Sequence, residues 1–279
     1  MAPTPLNHVL VTAGEAKPAQ WIYFLHGILG SGSNWRSFAR QLVLERPQWG
    51  AVLVDLRMHG LSQHFVSPHT LATATADLLA LEAALPGPVR GVVGHSFGGK
   101  VALLYAAERA QTLTHAFFLD SMPGARADFH GSESTLEVVD LLETFPPTFP
   151  DRKAFMKAVT EGGKSEPLAA WLAMNLERLP APEGDGYRLR LELPAIHAML
   201  EDYFRADLWP LLESLPLTLR TDIVIGARST VFLPPERARV VALAGTHPNL
   251  HVHVLANAGH WIHVDDPSGV AAVLRAGLQ

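Results

Sequence analysis

The 279-residue chain contains no cysteine. That excludes a disulfide framework, a thiolate nucleophile and a cysteine-ligated zinc. Charge is sparse as well, 18% of residues against 48% hydrophobic, which excludes long disorder and implies a compact core. Basic residues are not in excess. The formal net charge is −5, so no nucleic-acid partner is expected. No apolar run approaches the roughly 18 residues of a membrane span. The segment MAPTPLNHVL lacks the basic stretch and apolar core of a signal peptide, so the expected location is cytoplasmic.

What is present alternates. Short apolar runs near residues 7–12, 20–25, 51–55, 90–94, 115–119, 221–226 and 250–255 are separated by helical patterns. Several runs are nearly unbroken, as when helices cover both faces of a parallel sheet, so the expected class is α/β. Helices are expected from about Ser33, after Thr70, over 97–109, and after Pro235 and Pro267, where proline suits a first turn. At about 150 residues per domain the length suggests two units. The alternation stops after Asp120, however, and residues 121–215 offer proline clusters, helical stretches (134–145, 152–162, 166–179) and no convincing strand. This block carries 16 acidic and 9 basic residues, net −7, against 11 and 13 elsewhere. The expected organisation is one core, 1–120 with 216–279, interrupted by a helical cap over the edge of the sheet where ligands bind.

The strongest chemical signal is Gly94-His95-Ser96-Phe97-Gly98-Gly99, between the strand pattern RGVV and the helical pattern KVALLYAAERA. In that context G-x-S-x-G is a nucleophile elbow, and the following helix directs its positive end at any oxyanion. Serine needs a base. His260, in Ala258-Gly259-His260-Trp261 after the last strand, is selected from 14 histidines by position. His251 and His253 alternate along a strand but lack a third ligand at suitable spacing, so no metal site is expected. His263 and His26 read as structural. The loop Leu25-His26-Gly27-Ile28-Leu29-Gly30-Ser31-Gly32 also follows a strand. In a hydrolase the amides of such a loop and of the residue after the nucleophile hold the oxyanion, here Ile28 and Phe97. Nucleotide binding by Gly30-Ser31-Gly32 is disfavoured, because Trp35 stands at the third glycine position and no lysine follows.

Four segments, HGILGS, Asp55-Leu56-Arg57-Met58-His59-Gly60-Leu61-Ser62, GHSFGG and AGHW, together resemble the α/β-hydrolase superfamily across the sheet part of the chain. Most of that family carries its acid after the strand read here as TDIVIG, where this sequence has Ser229. The resemblance is to small capped carboxylesterases, in which an Asp after the family's sixth strand supports the histidine, assisted by a serine at the usual acid position. Asp120, ending HAFFLD, matches that Asp and Ser229 that serine, while Asp265 and Asp266 read as helix caps and Asp55, Arg57 and His59 as a structural network. The implied fold is the α/β-hydrolase fold, and the implied activity is cofactor-free hydrolysis of a small-molecule ester through an acyl-Ser96 intermediate. Thioester hydrolysis, acyl transfer or perhydrolysis with the same residues, and a non-catalytic ligand-binding role, stay open. Trp35 and Trp261 are expected to line the substrate pocket; Phe145, Phe149, Phe155, Trp171, Leu172, Met174, Tyr203 and Phe204 of the cap suggest an apolar pocket, though most of them fit the cap's own core at helical spacing.

Overall fold

The computed structural model describes residues 5–126, 135–180 and 184–278. Each of the seven strand patterns forms a strand within two residues of its expected bounds: β1 (His8–Val11), β2 (Gln20–Leu25), β3 (Trp49–Val54), β4 (Val89–His95), β5 (His115–Leu119), and, beyond an excursion, β8 (Arg220–Gly226) and β9 (Leu250–Leu255). They form one sheet in the order β1-β3-β2-β4-β5-β8-β9. All pairs are parallel except β1 with β3.

Period-two alternation explains the layering. On β2, Tyr23 and Leu25 enter one hydrophobic core while Ile22 and Phe24 enter the other. The first core packs helices α2 (Leu71–Leu81) and α3 (Phe97–Glu108), and the second packs α1 (Arg36–Glu45). With both faces covered, β3 is buried along its whole length. The strand order reverses between β2 and β4, so the loops leaving those two strands meet at one edge, the place where open α/β sheets bind ligands.

Between β5 and β8 the chain makes α4 (Thr135–Glu143), α5 (Arg152–Glu161), α6 (Glu166–Leu172), a hairpin β6 (Leu176–Arg178) and β7 (Tyr187–Leu189), α7 (Leu193–Arg205) and α8 (Trp209–Glu213). The hairpin corrects the expected helix over 166–179, which ends at Leu172. Residues 176–178 pair antiparallel with 187–189, and Glu177 bridges Arg188 and Arg190 at 2.7 and 3.1 Å. Phe145, Phe149 and Phe155 stack edge-to-face with centroids 5.2–5.8 Å apart, in the same hydrophobic core that covers the first face of the sheet. The chain closes with α9 (Pro234–Thr246), α10 (Ile262–Asp265) and α11 (Pro267–Gly277). No helix among the described residues is long and apolar enough to cross a membrane.

Candidate active site

The β4–α3 turn holds Ser96 at φ +52°, ψ −118°, a strained conformation for a residue with a side chain. The turn closes because its glycines lack side chains: a Cβ on Gly94 would strike the Gly98 carbonyl, and one on Gly98 the His26 carbonyl. The Ser96 amide donates to Leu119 O at 3.0 Å and Ser121 Oγ donates to Ser96 O at 2.7 Å, so neighbouring β5 over-determines the strain.

Asp120 follows β5 and is fully buried. Its Oδ1 accepts from the Gly226 amide at 3.1 Å, and its Oδ2 lies 2.5 Å from Ser229 Oγ and 2.7 Å from His260 Nδ1. Ser229 Oγ donates to the carboxylate and accepts from the Val231 amide at 3.2 Å. With its Nδ1–H turned to Asp120, His260 presents Nε2 as its proton acceptor. The loop carrying His260 is fixed twice over. His95 Nε2–H donates to His260 O at 2.8 Å, and the Gly259 amide donates to Asp265 Oδ2 at 2.7 Å. Asp265 therefore braces the histidine loop instead of capping a helix, whereas Asp266 does cap α11 through the Gly269 amide at 2.8 Å. Burial pushes His263 down to about 4 and His95 well below the usual imidazole range, so the rings packed beside His260 are neutral.

Two more buried histidines shape the loop after β2. His26 Nε2 accepts from the Leu56 amide and His59 Nε2 from the Leu29 amide, each at 3.0 Å. A ring nitrogen that accepts must be unprotonated, and burial enforces this, lowering His26 and driving His59 down to about 3. Asp55 takes the Gly32 amide at 2.8 Å and the Leu61 amide at 2.9 Å, and Arg57 pairs with Asp77 at 2.7 Å. Asn175, in the excursion, donates to Leu29 O at 2.9 Å. Ile28 is thus held in a loop tied on both flanks.

Ile28, Ser96 and Phe97 line one cleft of about 440 Å³ of empty space, part of it open to solvent, with Met122, Leu200, Tyr203, Phe204 and Val231 among the other walls. Trp261 stands beside His260 and packs on Trp171 of the excursion, centroids 4.6 Å apart. Trp35 corrects the pocket expectation. A 3-10 turn, Gly32–Trp35, drives its indole into the second core, fully buried against Phe24 and Phe38, and it does not line the cleft. Of the other aromatic candidates, Tyr203 and Phe204 line the cleft, whereas Phe145, Phe149 and Phe155 pack on one another and do not line it. His253 is engaged by Asp222, 2.7 Å away.

The fold and this edge of the sheet define a hydrolase of the α/β class. A model of the alpha/beta hydrolase family matches residues 22–273, and the chain belongs to that family. Mouse sn-1-specific diacylglycerol lipase ABHD11 is 29% identical over 271 residues, covering 96% of this chain and 83% of the relative. Lipase LipV of Mycobacterium tuberculosis is 28% identical and covers 95% of both chains. Among solved structures, a marine microorganism esterase superposes with TM-score 0.80 at 20% identity, over 98% of this chain and 99% of that one. With these relatives the chain is an enzyme, a serine ester hydrolase of that superfamily.

Asn175 and Lys100 escaped the sequence reading, and Asp265 was expected to cap a helix rather than brace the histidine loop. Of these, only Lys100 carried a local signal, as the one charged residue before Glu108 in the helix that follows Ser96.

Proposed function

We propose that the protein hydrolyses carboxylic esters with small to medium, apolar acyl groups, using Ser96 as nucleophile, His260 as general base and acid, and Asp120 as the anion behind it. The observation that carries this reading is the unbroken chain of short contacts Ser229–Asp120–His260 at 2.5 and 2.7 Å, on the same sheet edge as a serine held at φ +52°. His260 Nε2 takes the Ser96 proton and Oγ attacks the ester carbonyl. The Ile28 and Phe97 amides receive the oxyanion, and His260 returns the proton to the departing alcohol. Water repeats the sequence to free the acid. Ser229 is an auxiliary: its hydroxyl orients the Asp120 carboxylate toward the imidazole. Segment 121–215 serves as a cap, supplying Tyr203, Phe204 and Leu200 to the cleft, while Trp261 stands beside His260 and packs on Trp171 of the cap. These apolar walls favour an apolar acyl chain. No cofactor or metal takes part.

Hydrolysis of p-nitrophenyl esters by Ser96→Ala tests the assignment. A fall of about 10⁴-fold or more in kcat is expected. Hydrolysis at the wild-type rate would overturn it. A series of acyl chain lengths then reads the cleft, with kcat/KM rising from acetyl toward medium chains.

A further inference from the structure

His95 is the last residue of β4, immediately precedes Ser96, and is only 1% exposed. It pairs in register with Leu119 of β5, so the sheet fixes the strand end that carries it. From there its ring reaches the loops on either side of the nucleophile. Nε2–H donates to His260 O at 2.8 Å. The His95 and His260 rings lie 4.8 Å apart, centroid to centroid, and the Trp261 ring lies 5.9 Å away. The His95 ring also rests against Gly27, where a Cβ would stand 3.0 Å from His95 Nδ1 and 3.3 Å from Ser96 Cβ. The Gly27–Ile28 peptide carries the amide assigned to the oxyanion. One imidazole thus touches the base loop and the oxyanion loop from the root of the nucleophile turn.

The contacts around His260 divide the work of holding it. Asp120 accepts from the ring at Nδ1 and so sets its tautomer and tilt. The Gly259 amide donates to Asp265, which ties the loop to α10 and not to Ser96. The bond from His95 is the one that ties the base backbone to the nucleophile, because His95 and Ser96 are consecutive residues. The connection runs through one side chain and one hydrogen bond. A carbonyl only accepts, so Nε2 must carry the hydrogen. Burial pushes His95 well below the usual imidazole range, so the ring is neutral. Neutrality matters at this place: a cation 4.8 Å from the His260 ring would oppose the imidazolium that forms when Ser96 gives up its proton. An apolar side chain would fill the same space without the bond, and a lysine would bring the charge.

We propose that His95 is a positioning residue for the reaction at Ser96: its Nε2–H latches the backbone of the His260 loop to the strand end that carries the nucleophile. This rests on the reading of Ser96 as nucleophile and His260 as base. The test is steady-state ester hydrolysis, thermal unfolding and the rate of fluorophosphonate labelling for wild type, His95→Leu, His95→Asn and His95→Gln. Glutamine brings an amide N–H to the place of Nε2, asparagine carries the same group one bond short, and leucine has no donor. The leucine and asparagine variants are expected to lose about tenfold or more in kcat, with KM changed less than about threefold and labelling slowed in parallel, since a misplaced reacting group costs up to about 10²-fold. The glutamine variant should stay within about threefold of wild-type kcat, because it restores the bond. A merely structural residue would behave differently: asparagine and glutamine, which bury the same amide, would lose activity together and in step with their melting temperatures. That outcome, or wild-type kcat in folded His95→Leu, would overturn the proposal. If none of the variants folds, nitrogen NMR of the wild-type histidines decides. The His95 hydrogen on Nε2 supports the latch, and on Nδ1 it overturns it. Wild-type enzyme labelled at Ser96 with unaffected variants would remove this proposal only, whereas an unlabelled wild type would remove the esterase reading beneath it.

Discussion

The sheet and the excursion at 121–215 meet at the cleft but contribute to it differently. Every member of the Ser96–His260–Asp120–Ser229 set hangs on a loop directly after a parallel strand, so its position follows from strand register. The excursion supplies none of them. It adds walls and ties: Asn175 to Leu29 O, Asp202 to the Leu71 amide at 2.7 Å, and the acceptors of Lys100. Chemistry set by a rigid scaffold and fit set by a variable segment is the division expected where function lives on loops. The charge divides along the same line, with −7 in the excursion and a slight positive excess in the rest.

The largest effect that would break this comparison lies on the sheet edge. Asp120→Asn should lower kcat by about 10²–10⁴-fold, because an amide cannot hold the Nδ1–H tautomer or stabilise the imidazolium. Ser229→Ala removes one hydrogen bond to the carboxylate and should cost about tenfold or less in kcat. The reverse ranking would show that Ser229 is the true anchor.

The next effect is read by pH at the seam between the regions. Burial lowers Lys100 from 10.5 to about 7, with Asp207 and Asp202 opposing. Between those values the unfolded chain binds the proton that the folded protein has released, so this residue's contribution to stability rises with pH. Melting curves should show wild type gaining on Lys100→Met by several degrees from pH 7 to 10, with no change in the difference at lower pH. A difference independent of pH across that range would mean that Lys100 keeps its ordinary proton affinity.

The smallest effect belongs to the excursion's own tie. Asn175→Ala leaves Leu29 O buried without its donor and should destabilise the protein by about 1–3 kcal/mol in denaturant unfolding. The accompanying loss in kcat should be smaller than that of Asp120→Asn. A larger loss would mean that the excursion, as well as the sheet, sets the loop around Ile28.

The same division governs what could be read from the sequence. β2, β3 and β4 are apolar runs bounded by turn residues, and the elbow, the HGILGS loop and AGHW each follow a strand, so local pattern located them. Leu176–Arg178 escaped because three residues are too few to show a period, and the helical pattern of the preceding sequence runs on into them without a breaker. Trp35 was misread because sequence spacing does not say which face of the sheet a 3-10 turn presents its indole to. Asp265 looks like a helix cap in sequence, but its carboxylate turns back to the Gly259 amide. The Lys100–Tyr203 contact joins residues 103 positions apart, and no local period reports such a convergence.

The most direct test of the central claim is mass spectrometry of the wild-type protein after reaction with a fluorophosphonate, with the adduct mapped to a peptide. The expected result is a single phosphonyl adduct on Ser96 that is absent from Ser96→Ala. No adduct, or one on another residue, would contradict the assignment of Ser96 as the nucleophile.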